Sequence, residues 1–175
     1  DGEDITSLSL QERASFMGQL FQNPLHGCVG ELTVEQNFAL ASMKRQNAGL
    51  RRYTSGLIRP AIQHIADDLA LDLASFWKRP MHQLSGGQQQ MVSFIMLVIG
   101  EPRLVLLDEP TAALSPKAAE LFTNVARELF NKRGTAVVCV THDHLLAKTF
   151  ATTQWELLPR GEIVRTDLTH TLRHS

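Results

Sequence analysis

The sequence predicts an α/β fold built on a parallel sheet, and three observations point there. "RLVLLDEP" holds a continuous apolar run, Leu104 to Leu107, that ends in two acids. "TAVVCVTHD" is a second such run. Short apolar runs without alternation mark strands covered on both faces, as in parallel sheets. Between them, "LSPKAAELFTNVARELFNKRG" reads as a helix with Ser115 as N-cap, Pro116 at the first helical position and Gly134 as the stop. A strand, a helix and a second strand in that order make a right-handed parallel crossover.

The remaining elements follow in chain order. Ser9 can cap a short helix over "LQERASF", and "MGQLFQ" then alternates toward a strand ending at Gln22. Asn23-Pro24 closes it, because a residue before proline avoids the helical region. "LTVEQNFALAS" carries Thr33 as N-cap and Gln36 at the capping-box position. "KRQNAGLRRYTSG" is polar and basic and reads as a loop. "LIRPAIQHIADDLAL" has apolar residues at helical spacing with Pro60 in its first turn, where proline is tolerated. "LSGGQQQMVSFIMLVIG" opens on Ser85 and two glycines and continues as a long apolar helix. After the second strand, "HDHLLAKTFA" reads as a helix, and "TQWELLP" with "EIVRTD" as a terminal hairpin around Arg160-Gly161.

Composition sets bounds. The chain has 175 residues, 43% hydrophobic and 20% charged, the profile of an ordinary globular protein with a sizeable core. Its net charge of −1 gives no bulk attraction to nucleic acid or anionic lipid. The two cysteines, Cys28 and Cys139, imply no disulfide framework, and Cys139 reads as a buried small hydrophobe. The longest apolar stretch, Met91 to Gly100, is about half of the roughly twenty residues a membrane span needs. The opening "DGEDITSLSLQER" is acidic, polar and abrupt, and reads as the start of a fragment.

Three places carry candidate chemistry. Asp108 and Glu109 end a central strand, where open α/β sheets bind ligands. Successive strand side chains point to opposite sides, so the two acids would have different jobs. Nucleotide hydrolysis needs one acid to hold Mg²⁺ through its water shell and another to act on the attacking water. Two solvated acids in a turn account for the same six residues about as well. Ser85-Gly86-Gly87 offers N–H groups and a hydroxyl at a helix start, a suitable place for an anion. An ordinary serine cap fits equally. His142 ends the second strand, and it reads either as a hydrogen-bond donor to a terminal phosphate or as a plain helix-start residue. The sequence contains no Gly-Lys pair, so no lysine of the usual phosphate-gripping loop is present.

Taken together, Gln22, "LSGGQ" at 84–88, "LVLLDEP" at 104–110, "AALS" at 112–115 and "VTHD" at 140–143 resemble, in order and spacing, the nucleotide-binding domain of ATP-binding-cassette (ABC) transporters. The resemblance covers essentially the whole chain. It implies a P-loop NTPase (RecA-like) parallel-sheet core with an inserted helical subdomain, lacking the N-terminal part that carries the Walker A loop. The implied divisions are 1–23, the end of the first core part with the Q-loop; 24–83, the helical subdomain; and 84–175, the signature helix, the Walker B and H-loop core and the hairpin.

The resemblance also implies roles. Gln22 matches the Q-loop glutamine, which meets Mg²⁺ and the attacking water. Leu84, Ser85, Gly86, Gly87 and Gln88 match the signature motif that faces a nucleotide. Asp108 matches the Walker B aspartate, Glu109 the catalytic glutamate and His142 the switch histidine at the γ-phosphate. Ala112, Ala113, Leu114 and Ser115 match the D-loop, although Ser115 stands where an aspartate is usual and brings no carboxylate. Met91 stands where many members carry an arginine, a variant similar to a subgroup of bacterial importers, some linked to amino-acid uptake. The run "FWKRPMHQ" before the signature lacks the Val-Gly-Glu-like pattern of exporters and so favours an importer.

The implied cofactors are ATP and Mg²⁺. The implied partners are transmembrane permease subunits, a second nucleotide-binding subunit in a head-to-tail homodimer and a solute-binding protein, with no nucleic acid. The implied location is the cytoplasmic face of the membrane, held there by the permease. The 175 residues by themselves are expected to be inactive. A non-catalytic interaction fragment and a soluble ABC ATPase are the alternatives.

Overall fold

A computed structural model describes residues 4–43, 59–159 and 161–168. The basic loop around Lys44, Arg45, Arg51 and Arg52 lies outside the described residues, as does Arg160 of the terminal turn. The chain divides into two compact units, Asp1–Val140 and Thr141–Ser175.

Among the described residues the first unit holds three strands: β1 (Met17–Leu20), β2 (Leu104–Asp108) and β3 (Ala136–Val140). They pair in parallel in the order β1-β2-β3. Leu20 lies opposite Leu107, and Leu107 opposite Cys139. The parallel sheet inferred from the two apolar runs is therefore present, but two details differ. The strand expected to reach Gln22 stops at Leu20, because Asn23 starts a 3₁₀ turn at Pro24–Gly27 and its side chain accepts from the Leu25 N–H at 3.1 Å. Nor are β2 and β3 covered on both faces. Val105 and Leu107 are buried while Leu104, Leu106 and Asp108 are half-exposed. On β3, Val138 and Val140 are 54% and 63% exposed, and Cys139 is half-buried rather than enclosed. The exposed positions Ala136, Val138 and Val140 are apolar like Val137 and Cys139 between them, so the side facing away from the core has no polar signature in the sequence.

Among the described residues, five helices belong to the same unit: α1 (Leu10–Ala14), α2 (Val34–Met43), α3 (Arg59–Asp68), α4 (Gly86–Ile99) and α5 (Pro116–Arg133). Their ends are set by the predicted caps. Ser9 and Glu12 form a capping box on α1, and Thr33 and Gln36 exchange the corresponding bonds at 2.8 and 3.2 Å before α2. Ser115 caps α5, Pro116 opens it, and Gly134 closes it in a left-handed conformation (φ 63°) that an L side chain rarely adopts.

Helix α4 is buried nearly all round, as its apolar run demands. Phe94 meets Phe122 of α5 edge-on at 4.7 Å. Strand β1 comes so close to α4 that a Cβ on Gly18 would lie 2.2 Å from Leu97 Cδ1. The stretch from Pro24 to Gln83 closes on itself. Leu32, Val34 and Glu35 exchange backbone hydrogen bonds with Trp77, Arg79 and Met81, and Phe38 stacks on Trp77 at 5.5 Å. Asn37 is buried there and accepts from the Val29 N–H while donating to the carbonyls of Val29, Leu32 and Thr33.

The second unit contains α6 (His144–Phe150) and an antiparallel hairpin, β4 (Thr153–Leu157) with β5 (Ile163–Asp167). Asp143 caps α6, accepting from the Leu146 N–H at 3.1 Å. Gly161 (φ 80°) turns the hairpin. No helix among the described residues is long and apolar enough to cross a membrane.

Candidate functional site

The site grows from the carboxyl edge of the parallel sheet. Asp108 is the last residue of β2, and Glu109 leaves the strand in a left-handed conformation (φ 44°). For a side chain larger than glycine this geometry costs roughly 1–2 kcal/mol and turns the chain sharply. Two backbone bonds hold it: the Glu109 N–H donates to Val140 O at 2.9 Å, and the Ala112 N–H donates to Glu109 O at 3.1 Å. Gln22 follows β1 by two residues and is exposed. Because β1 and β2 run parallel in register, Gln22 and the acid pair stand at the same edge, one strand apart.

The two acids also act on their neighbour. Burial pushes the Cys139 thiol up to about 11, and the negative charges of Glu109 and Asp108 add to the effect. Both carboxylates thus project a field into the space beside β3. A negative edge of this kind, with an aspartate and a glutamine oxygen, suits a hard divalent cation that keeps most of its shell as water and phosphate.

The glycine pair lies against the turn that follows. Ser85 caps α4 with a full capping box: its Oγ accepts from the Gln88 N–H at 3.3 Å, and Gln88 Oε1 accepts from the Ser85 N–H at 3.0 Å. The cap reading is therefore correct, and Ser85 keeps a hydroxyl proton to donate. Ser85 and Gly86 are exposed. A Cβ on Gly87 would sit 3.3 Å from Ala113 O, and one on Gly86 would sit 3.6 Å from Ala113 Cβ. The residues Ala112, Ala113, Leu114 and Ser115 are thus the surface on which the glycines rest. The sequence alone did not bring these two segments together.

Two further glutamines were not singled out from the sequence. Gln89 donates to the carbonyls of Met81 and Leu84 at 3.0 and 3.1 Å, fixing the segment that leads into the helix. Gln90 is 1% exposed and donates to Pro110 O at 3.0 Å. In the sequence, three consecutive glutamines look alike, and only burial gives each a separate partner.

His142 is exposed and lies in the second unit, two positions after β3 in the chain. Its neighbour Thr141 accepts from the Asp143 N–H at 3.0 Å, so the segment forms a tight turn before α6.

A family model described as ABC transporter matches residues 1–112. The chain belongs to the ABC transporter family. This ABC chain is 29% identical over 164 residues to a tyrosine transport ATP-binding protein of Clostridioides difficile (strain R20291), with 94% of the chain and 64% of the relative covered. It is 34% identical over 153 residues to the spermidine/putrescine import ATP-binding protein PotA of Escherichia coli (strain K12), with 86% and 37% covered. Its fold aligns with the dimeric, post-hydrolysis structure of the ATP-binding cassette MJ0796 bound to ADP and Pi. There the TM-score is 0.73 and the identity 28%, over 90% of this chain and 65% of that one. The ABC chain therefore spans less than two thirds of the length of these relatives. Its α/β parallel-sheet core is the ABC cassette fold.

Proposed function

We propose that this chain is part of the ATP-binding and ATP-hydrolysing subunit of an ABC importer for a small solute. The observation that carries the reading is the shared edge. Gln22, Asp108 and Glu109 lie at or just past the carboxyl ends of β1 and β2 at one edge of the sheet, and the Ser85 helix start packs on the turn that follows Glu109. Family membership gives that edge its chemistry.

In this reading Asp108 and Gln22 hold Mg²⁺, which supplies charge neutralisation at the phosphates of ATP. Glu109 orients and accepts a proton from the attacking water, its carboxylate aimed by the left-handed turn. Gly86 and Gly87 present N–H groups, and Ser85 its hydroxyl, to the nucleotide held by a second subunit in a head-to-tail pair. His142 donates to the γ-phosphate. The dimeric MJ0796 cassette, solved with ADP and Pi, supports both the pairing and the ligand.

The segment 24–83, closed on itself by the bonds between 32–35 and 77–81, is the part that meets permease subunits. Residues 84–175 carry the signature helix, the Walker B and H-loop segments and the hairpin. The complex sits at the cytoplasmic face of the membrane and receives its solute from a binding protein. The tyrosine transport relative favours an amino acid as that solute.

Replacing Glu109 with Gln in the intact protein tests the reading. ATP binding should persist and hydrolysis should nearly vanish. Undiminished turnover would overturn the assignment. One feature favours a second reading: the 175 residues contain no Gly-Lys pair. On that reading the chain offers its signature to another subunit's nucleotide and binds none of its own. Titrating ATP into the intact protein separates the two: micromolar affinity supports the first reading, and no tight binding supports the second.

A further inference from the structure

Gln90 is a side chain that the proposed chemistry does not use, yet its placement is costly. It is 1% exposed, and its Oε1 is buried without a hydrogen-bond donor among the described residues. A buried amide that leaves its acceptor unmatched loses solvation without return. An aliphatic side chain of the same length would avoid that loss. What the amide does supply is its N–H, given to Pro110 O at 3.0 Å across 20 residues of sequence. The reverse amide orientation would set two oxygens against each other, so the bond itself fixes the assignment.

Pro110 is the residue immediately after Glu109, and it is buried. Proline cannot donate from its own nitrogen, so its carbonyl is the one backbone polar group that Pro110 itself offers. Glu109 is in the left-handed region, which persists only when its surroundings impose it. The restraints are the bond from the Glu109 N–H to Val140 O, the bond from the Ala112 N–H to Glu109 O, and the Gln90 bond to Pro110 O. The first two come from the sheet and the turn. The third comes from α4, one turn after Gly86 and Gly87.

We infer that Gln90 is a positioning residue: it fixes the direction of Glu109 through the Pro110 carbonyl and ties that carboxylate to the helix that begins at Ser85. A displacement of the helix start, as on engaging a nucleotide, then moves the Pro110 carbonyl with it. This rests on the ATPase reading above and deepens it, since it gives the helix start a path to the acid of its own chain. Over this distance α4 is held by the Ser85–Gln88 capping box and by the Gln89 bonds to the carbonyls of Met81 and Leu84.

The test uses the intact protein and four variants. Gln90→Met keeps the length and removes the donor. Its kcat for ATP hydrolysis should fall about tenfold or more, the scale of a misplaced catalytic group, while KM for ATP stays within about twofold and the thermal midpoint is maintained. Gln90→Glu adds a pH signature. A protonated carboxyl can donate to Pro110 O and a carboxylate cannot, so its kcat relative to wild type should recover as pH falls. Glu109→Gln with Gln90→Met should be no slower than Glu109→Gln alone. If Glu109→Gln abolishes hydrolysis but Gln90→Met retains wild-type kcat, or if Gln90→Glu tracks the wild-type pH profile, the role of Gln90 is overturned while the ATPase reading stands. If Glu109→Gln itself turns over normally, the ATPase reading fails first.

Discussion

Gly87 and Ala113 lie in such close contact that a methyl group on the glycine would stand 3.3 Å from the Ala113 carbonyl oxygen. The start of α4 and the turn after the acid pair are therefore one packed unit, and the glycine is part of the joint. The adjacent Gly86 is looser, with 3.6 Å to Ala113 Cβ. Gly86→Ala should change stability by no more than about 0.5 kcal/mol. Gly87→Val should cost about 1–3 kcal/mol, because the branched side chain must push backbone aside. Urea denaturation of both variants gives the comparison. Equal losses would mean that the joint is not where the structure places it. A Gly86→Ala protein with normal stability and lost hydrolysis would assign that glycine to ligand approach.

Asn37 carries four hydrogen bonds to the backbone of residues 29–33. Asn37→Leu keeps the volume but takes the side-chain acceptor from the Val29 N–H, while the three carbonyls keep their backbone donors from Leu32, Met81 and residue 37 itself. A loss of about 1–3 kcal/mol is expected. The Val29 amide should also exchange its hydrogen faster, and an unchanged Val29 exchange rate would contradict the arrangement.

Gly18 is the point at which β1 meets α4. A Cβ there would overlap Leu97 Cδ1 at 2.2 Å, so Gly18→Ala should destabilise by about 1–3 kcal/mol. Leu97→Val removes the clashing end and should return much of that loss, giving a non-additive double-mutant cycle. Simple additivity in thermal unfolding would count against the contact.

Cys139 reports the field of the acid pair. Its folded thiol is pushed up to about 11 from 9.0, first by burial and then by Glu109 and Asp108. The folded state therefore holds the proton longer than the unfolded chain. This contribution to stability is complete below pH 9.0 and is lost as pH rises through about 11. Wild type should lose stability over that window more steeply than Cys139→Ala. In a Cys28→Ala background, alkylation of native Cys139 should stay slow at pH 9 and begin at lower pH once Glu109→Gln or Asp108→Asn removes a charge. An alkylation onset indifferent to both substitutions would remove the acids from the neighbourhood of Cys139.

Helix ends were the most legible part of this chain. Ser9 with Glu12, Thr33 with Gln36, Ser85 with Gln88, and Ser115 with Ala118 each make the bonds their spacing implies. Those bonds join residues three apart, so local sequence contains both partners. Gln22 was placed at a strand end when the strand stops two residues earlier, because Asn23 begins its own turn. The coverage of β2 and β3 was overestimated for a different reason. An apolar run shows that both faces tolerate water-avoiding side chains, and it does not show what lies against each face.

By itself the sequence determined the strands, the caps, the acid pair after β2 and the ordered motifs that mark an ABC transporter chain. Each of these is set by chemistry within a few residues or by the order of such stretches. Only the tertiary structure decided that Gly87 rests on Ala113, that Gly18 admits Leu97, and that three adjacent glutamines serve three different partners. Those facts depend on which surfaces meet across tens of residues. Helix α4 presents Gln88, Gln89 and Gln90 in three directions about 100° apart, and close packing decides what each one finds.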